Sequence, residues 1–171
     1  MRKDDGVAMI VERVKSGFGS IQQAFERAME FGKAHSCIAQ LADPSCVYSQ
    51  KHAKFTLECA KMDGASGSLS CKTVEGQLLL YLACETHLNA AIGKCGAKNT
   101  GDFLLIFDSQ KDEEALYKKF CHELKIRANG KKPGEGFEGA FEKEFSKLAL
   151  SAYSVEQLVC ERMALTFAKE S

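Results

Sequence analysis

A run of five apolar residues, Phe103 to Phe107, constrains the fold of this chain more than any other segment. Five residues are too few for a typical globular helix, and they suit a strand that is buried on both faces. Such a strand is usually covered by helices on either side of its sheet. A short helix of small residues that ends at Gly96, and then a polar turn, precede the run. Because the run contains no group that could carry out chemistry, it predicts architecture and not an active site.

Strands and helices alternate along most of the chain. Apolar periodicity and capping signals predict strands at residues 6–14, 37–41 and 103–107. They predict helices at residues 20–31, 49–62, 74–84, 88–95, 112–125, 141–150 and 154–168. Gly32 is predicted to end the first helix, and residues 64–68 are predicted to form a flexible linker. The simplest architecture is an α/β (α+β) fold in which one small mixed β-sheet is flanked by about seven helices.

The size and composition indicate one globular domain over residues 1–171, with 45% hydrophobic and 27% charged residues. Lys and Arg together equal Asp and Glu, so the net charge is zero. A neutral chain has little overall attraction for nucleic acid, although this does not exclude a local basic patch. The first apolar segment is too short for a signal peptide, and no apolar run approaches the roughly 20 residues that span a bilayer. We therefore expect no membrane partner and a cytosolic or nuclear location.

Eight cysteines are spread evenly along the chain and never form a Cys-x-x-Cys pair. A zinc site usually shows such a close pair, and a disulfide framework needs a secretory context. Most of the cysteines lie beside apolar residues, as Cys59 and Cys84 do. They are therefore predicted to be small buried hydrophobic residues in a reducing compartment.

No arrangement of residues typical of catalysis is visible in the sequence. The four histidines form no metal-binding motif, and neither a nucleophile elbow nor a dinucleotide-binding glycine pattern is present. Cys121 and His122 are adjacent, but in a helix neighbouring side chains point about 100° apart, which does not suit a nucleophile and its base. The sequence therefore predicts no enzyme, no cofactor and no metal. A small α/β ligand-binding domain or enzyme that uses Cys121, His122 or residues 64–68 remains the alternative, and a deep polar pocket at those residues would favour it.

The last predicted helix has an unusually wide apolar face. Its apolar residues cover an arc of about 220°, whereas an ordinary surface helix needs only about 100°. These residues are Val155, Leu158, Val159, Cys160, Met163, Leu165 and Phe167. Either the helix is fully buried, or one flank meets the core and the other meets a partner protein, rimmed by Glu156, Glu161 and Arg162.

A second candidate surface lies at the predicted amino end of the helix that begins near Ser49. Backbone N–H groups there, together with the side chains of Lys51, His52 and Lys54, could hold a phosphate. The alternative is the ordinary solvated face of a helix, because basic residues are common on such faces.

Several segments, taken in their order and spacing, point to a known family. They are residues 42–44, Val47, residues 49–52, the apolar block 77–83, residues 89–98, the strand 103–107 and the ending 155–165. This pattern, which runs from about Gly6 to Lys169, resembles the small accessory subunit of the KEOPS (EKC) tRNA-modification complex, the PRPK-binding protein family.

The resemblance implies a non-catalytic α/β protein without cofactors. Members of that family bind the atypical kinase/ATPase subunit of the complex, and so act indirectly with its threonylcarbamoyl-transferase subunit. They support formation of threonylcarbamoyl-adenosine (t6A) at position 37 of tRNA, in the cytoplasm and nucleus. Members use helical surface against the kinase, including the last helix, where the residues are Val155, Leu158, Val159, Arg162, Met163 and Leu165.

Direct binding of the tRNA 3′ end is a further property of some members of that family, notably archaeal ones. Those relatives tend to carry an arginine in the turn before the helix at residues 88–95. Here the turn, residues 84–87, has Glu85 and no arginine. Lys51, His52 and Lys54 are therefore the residues to test for RNA binding in this chain.

Overall fold

The computed structural model of the chain describes residues 9–135 and 155–168. The strands in this part are β1 (Ile10–Ser16), β2 (Cys37–Ala42), β3 (Phe103–Ser109) and β4 (Ile126–Ala128). The helices are α1 (Ile21–His35), α2 (Gln50–Ser66), α3 (Val74–Ala83), α4 (Leu88–Cys95), α5 (Glu113–Glu123) and α6 (Val155–Ala168). A short 3-10 helix, Pro44–Cys46, precedes α2.

The strands form one sheet in the order β2-β3-β1-β4. The predicted α+β fold is confirmed, but every neighbouring pair in the described sheet is antiparallel, where a mixed sheet was expected. The reason is that β3 lies between β1 and β2 and runs opposite to both, so the parallel pair joined by α1 is not adjacent. β4 was not predicted because its three residues are too few to show alternation.

The predicted buried strand is confirmed as β3, which continues past Phe107 to Ser109 and is buried along its whole length. Its side chains alternate between the two faces of the sheet, as strand geometry requires. Phe103, Leu105 and Phe107 pack with residues of α1 and α5. Leu104 and Ile106 pack on the opposite face with residues of α2, α3 and α6. The result is a three-layer domain with one apolar core on each side of the sheet.

Two predictions that rested on glycines were wrong, because α1 and α2 each continue through a glycine and end at a later residue. α1 passes through Gly32 and ends at His35, and Ser36 takes the left-handed conformation with φ 52°. A Cβ atom on Gly32 would lie 2.9 Å from the carbonyl oxygen of Cys37. Residues 64–68 are not a linker, since α2 continues to Ser66 and is capped by Gly67 with φ 73°.

The other helical predictions agree with the described helices to within a few residues at their ends. α2, α3 and α5 are capped by Ser49, Thr73 and Asp112, whose side chains accept hydrogen bonds from backbone N–H groups of the first turn. The predicted helix at 141–150 lies outside the described residues, as does the start of the first predicted strand, residues 6–8. No helix in the described part is long and apolar enough to cross a membrane.

Two of the eight cysteines are joined, which corrects the prediction that all are free. Cys46 and Cys95 form a disulfide with a Cα–Cα distance of 5.6 Å, across 49 residues of sequence. The backbone brings them together, because the N–H of Asp43 donates to the carbonyl of Cys95 at 2.8 Å. Both lie in a third apolar cluster with α3 residues such as Leu79 and Leu80. Spacing in the sequence could not reveal this pair.

An ion pair ties β1 to the loop before β3. Arg13 donates through Nε and one terminal guanidinium nitrogen to the two carboxylate oxygens of Asp102, both at 2.6 Å. Asn129 and Lys131 donate to the same carboxylate at 2.7 and 3.1 Å. The hydrogen bond from Arg13 is the main reason why the pKa of Asp102 falls from 3.8 to about 2. This bidentate pair fixes the loop at the end of the sheet.

The Asp102 network predicts a specific loss of stability in acid. A carboxylate whose pKa is depressed in the folded state stabilises the fold above its unfolded pKa, 3.8, and loses that contribution as the pH falls through about 2. We expect the wild type to lose about 1–2 kcal/mol more than Asp102→Asn between pH 5 and pH 2, after allowing for solvent screening. Urea denaturation at several pH values measures this difference. Parallel pH curves for the two proteins would contradict the assignment.

Candidate functional site

The inner face of α6 is part of the core. Val159 and Met163, four residues apart, are only 1% and 4% exposed and belong to the core shared with α2 and α3. One turn further on, the ring of Phe167 meets that of Tyr81 edge to face, with their centroids 4.5 Å apart. Apolar residues at this spacing anchor a helix along one stripe. Val159 and Met163 therefore hold α6 in place.

The outer face of α6 carries an exposed apolar side chain. Leu165 is 58% exposed, and it lies two residues beyond Met163, about 200° around the helix. Glu161 and Ala164 on this side are also exposed, and Arg162 is half-buried at its edge. Leu158 precedes Leu165 by two turns, but the side chains of Leu158 and Val155 lie outside the described residues. Among the predicted kinase-binding residues whose side chains are described, Val159 and Met163 lie on the inner face and Leu165 lies on the outer face.

The neighbouring helix α2 has an exposed apolar face that sequence reasoning missed. Phe55 and Met62 are 43% and 70% exposed, and the half-buried Cys59 lies between them on the same side of the helix. α2 packs against α6. Their spacing is visible in the sequence. The sequence prediction considered only the apolar face of this helix that includes the buried Leu57, and it therefore did not identify the second, exposed apolar face. Exposed apolar faces on packed helices mark binding surfaces more often than isolated exposed residues do.

The amino end of α2 presents two of its three predicted basic residues to solvent. Ser49 caps the helix by accepting a hydrogen bond from the N–H of His52 at 3.0 Å. His52 is 1% exposed, and its Nδ1 accepts a hydrogen bond from the N–H of Tyr48 at 3.2 Å. Lys51 and Lys54 are exposed. His52 therefore orders the helix end, and any phosphate contact there would depend on the two lysines.

Cys121 and His122 both line an open cavity of about 700 Å³ at the carboxyl end of α5. Burial raises the pKa of the Cys121 thiol, which keeps it protonated and weakly nucleophilic near neutral pH. The alternative prediction was a small ligand-binding domain or an enzyme. The cavity fits a ligand-binding domain better than it fits an enzyme. No group of three or more metal-binding side chains occurs among the described residues.

Exposed apolar helix faces on a compact α+β domain are typical of proteins that bind other proteins. The sequence model of the family described as kinase binding protein CGI-121 matches residues 18–166, and the chain belongs to this family. This match confirms the resemblance to the PRPK-binding accessory subunits. Among individually curated proteins, none matches the chain. The family is one of kinase-binding proteins, so the comparison supports a kinase as the partner.

Proposed function

We propose that this chain is a non-catalytic subunit of the KEOPS/EKC complex, and that it binds the atypical kinase/ATPase subunit through the outer face of α6. The observation that carries the proposal is the 58% exposure of Leu165 on the face opposite the buried Val159 and Met163. The kinase-binding family of the chain supports the choice of partner. A leucine that becomes buried when a partner binds contributes through the removal of its apolar surface from water.

The geometry separates residues that bind from residues that support the fold. Leu165, Ala164 and Glu161 are exposed and available for contact, and Arg162 borders them. Met163 and Val159 are buried in the chain's own core, so they act by holding the outer face in position. A charged residue at Met163 would disrupt folding and binding together, whereas Leu165→Arg adds a charge at a position that is already in water.

In this proposal the bound kinase subunit links the chain to the threonylcarbamoyl-transferase subunit, and the chain supports t6A formation at position 37 of tRNA in the cytoplasm and nucleus. The test is complementation of cells that lack the corresponding subunit, with t6A measured in digested tRNA by mass spectrometry. We expect the wild type to restore t6A and Leu165→Arg to restore about a tenth or less, given a binding loss of about 2 kcal/mol. Unchanged t6A in cells that lack the subunit, or failure of the wild type to restore t6A, would contradict the proposed role in t6A formation.

Direct binding of tRNA by this chain is a second proposal, supported by the exposure of Lys51 and Lys54 at a helix amino end. It requires no change in the kinase proposal, because the amino end of α2 and the outer face of α6 are different surfaces. The two uses are separable by substitution of Lys51 and of Leu165.

A further inference from the structure

The disulfide between Cys46 and Cys95 stands alone among the cysteines of this chain. All eight cysteines lie in the described part of the chain, and the other six form no disulfide. A chain that keeps six thiols beside one disulfide differs from a disulfide-dense secreted domain. In the cytoplasm, one of the locations in the proposed function, disulfides are usually transient and take part in catalysis or redox sensing. This setting is typical of a bond that opens and closes.

The segment that carries Cys46 is suited to local opening. Cys46 ends the 3-10 helix Pro44–Cys46, which is a single turn. The N–H of Cys46 donates to the carbonyl of Asp43 at 3.0 Å, and the N–H of Val47 donates to that of Pro44 at 3.4 Å. Cys46 is fully buried, so a reductant reaches its sulfur only when this turn opens. A single turn with few hydrogen bonds opens at a much lower free energy than the whole domain unfolds.

The surroundings of Cys46 also accommodate the reduced form. Its Sγ lies 3.5 Å from the carbonyl oxygen of Lys94, so the S–H group that forms on reduction has an acceptor in place. A hydrogen bond that does not involve sulfur holds the two chain segments together, because the N–H of Asp43 donates to the carbonyl of Cys95 at 2.8 Å. Reduction therefore leaves the two thiols close to each other, and the bond is able to form again.

The pair belongs to an apolar cluster that also supports the end of α6. The buried members of this cluster are Cys46, Leu79, Leu80, Ala83, Ala91 and Cys95. Phe167, in the last turn of α6, packs against them. The ring of Phe167 also meets that of Tyr81, as described above. Because Leu165 lies only two residues before Phe167, the packing of this ring positions the outer face of α6.

Reduction changes the space that the cluster needs. Two sulfur atoms that are not bonded stand at van der Waals distance, about 1.5 Å or more further apart than in a disulfide. Close-packed neighbours must then shift. Leu79, Leu80 and Ala83 are buried within α3, whereas Phe167 is a half-buried ring near the end of its helix. Phe167 is therefore the neighbour that gives way.

We propose that the pair Cys46 and Cys95 is a redox switch that sets how firmly the end of α6 is anchored. In the oxidised state the packing of Phe167 holds the last turn of α6 in place, and in the reduced state this packing is loosened. The effect on binding rests on the proposed function, because Leu165 is the residue through which the kinase subunit would sense the change. The reduced chain is expected to bind that subunit more weakly.

The electrons come from a dithiol and return to a peroxide. In the reduction, a thiolate of the dithiol attacks one sulfur of the bond, and the other cysteine leaves as a thiolate. The second thiol of the dithiol resolves the mixed disulfide, so two electrons and two protons reach Cys46 and Cys95 and the dithiol leaves as its own disulfide. In the oxidation, one thiolate attacks hydrogen peroxide and forms a sulfenic acid and water. The second thiol then displaces another water and restores the bond.

The experiment compares the full chain after treatment with hydrogen peroxide and after treatment with dithiothreitol, both at a temperature where the chain is folded. Hydrogen exchange measured by mass spectrometry reports the anchoring of α6, and isothermal titration with the kinase subunit reports the consequence. We expect dithiothreitol to open the bond without denaturant and peroxide to restore it. The amides in the last turn of α6 should exchange at least about fivefold faster after reduction, and the affinity should fall by a similar factor.

Matched variants separate the pair from the other thiols. Cys46→Ala/Cys95→Ala should give the same exchange and the same affinity in both treatments. Phe167→Ala removes the contact between the cluster and α6, so the difference in affinity between the two treatments should disappear. Cys121→Ser, on the other side of the sheet, and Cys160→Ser, on α6 itself, should keep the full redox response.

The switch and the kinase proposal fail in different ways. If the kinase subunit binds neither form while the exchange of α6 still responds to the treatment, the kinase proposal fails and the switch stands. Equal exchange of α6 in the oxidised and reduced chain would overturn the switch, even where the kinase subunit binds. A bond that dithiothreitol opens only in denaturant would overturn it too, as would an unchanged redox response of affinity in Phe167→Ala.

Discussion

Replacing Phe120 with alanine is expected to cost about 3–5 kcal/mol of unfolding free energy, a large part of the stability of a domain of this size. Phe120 is fully buried between α5 and the sheet. Its ring contacts Phe31 edge to face and Phe107 at a tilt, with centroid distances of 5.1 and 5.3 Å. The substitution removes these contacts and leaves a cavity at the meeting point of α1, α5 and β3.

Urea denaturation monitored by circular dichroism measures this loss. The matched control is Phe55→Ala, the same chemical change at a side chain that is 43% exposed on α2. We expect the control to cost less than about 1 kcal/mol, because the ring already contacts solvent. Equal costs for the two substitutions would contradict the position of Phe120 in the core.

Breaking the disulfide between Cys46 and Cys95 is expected to cost about 2–4 kcal/mol. The bond closes a loop across 49 residues of sequence, and such a cross-link stabilises a fold mainly by restricting the unfolded chain. It joins the 3-10 helix before α2 to the end of α4. Thermal unfolding of the oxidised protein, the reduced protein and the Cys46→Ala/Cys95→Ala variant measures the effect.

The controls for this prediction are chemical. A reducing agent should lower Tm in the wild type and have no effect on the double variant. Titration of thiols in denaturant should find six in the oxidised chain, because six of the cysteines are free. Finding eight thiols would show that the pair is not joined.

The parts of the fold that could be predicted from the sequence are those with local causes. The run Phe103 to Phe107 predicts a strand that is buried on both faces, because no polar residue interrupts it. A capping signal placed the start of α1, where the side chain of Ser20 accepts a hydrogen bond from the N–H of Gln23, since a cap acts within one turn. The family resemblance, which rests on the order of such segments, was confirmed by the match over residues 18–166.

The parts that could not be predicted depend on residues far apart in the chain. Cys46 pairs with Cys95 because the path of the backbone brings the two residues together. The three residues of β4 form a strand because they hydrogen-bond to β1. The burial of His52 follows from how α2 packs and not from its neighbours in sequence. The wide apolar arc of the last helix did not reveal which of its residues are buried, as Val159 and Met163 are, and which are exposed, as Leu165 is.

The proposed kinase-binding surface is the outer face of α6. The most direct test is to measure the affinity between the kinase subunit and the purified chain by isothermal titration. Leu165→Arg should weaken binding at least about 30-fold, or roughly 2 kcal/mol, because it would bury an unpaired charge in the interface. Met29→Arg is the matched control, because Met29 is 44% exposed on α1, on the opposite side of the sheet. The account predicts wild-type affinity for Met29→Arg and a large loss for Leu165→Arg. Wild-type affinity for a folded Leu165→Arg protein would contradict it.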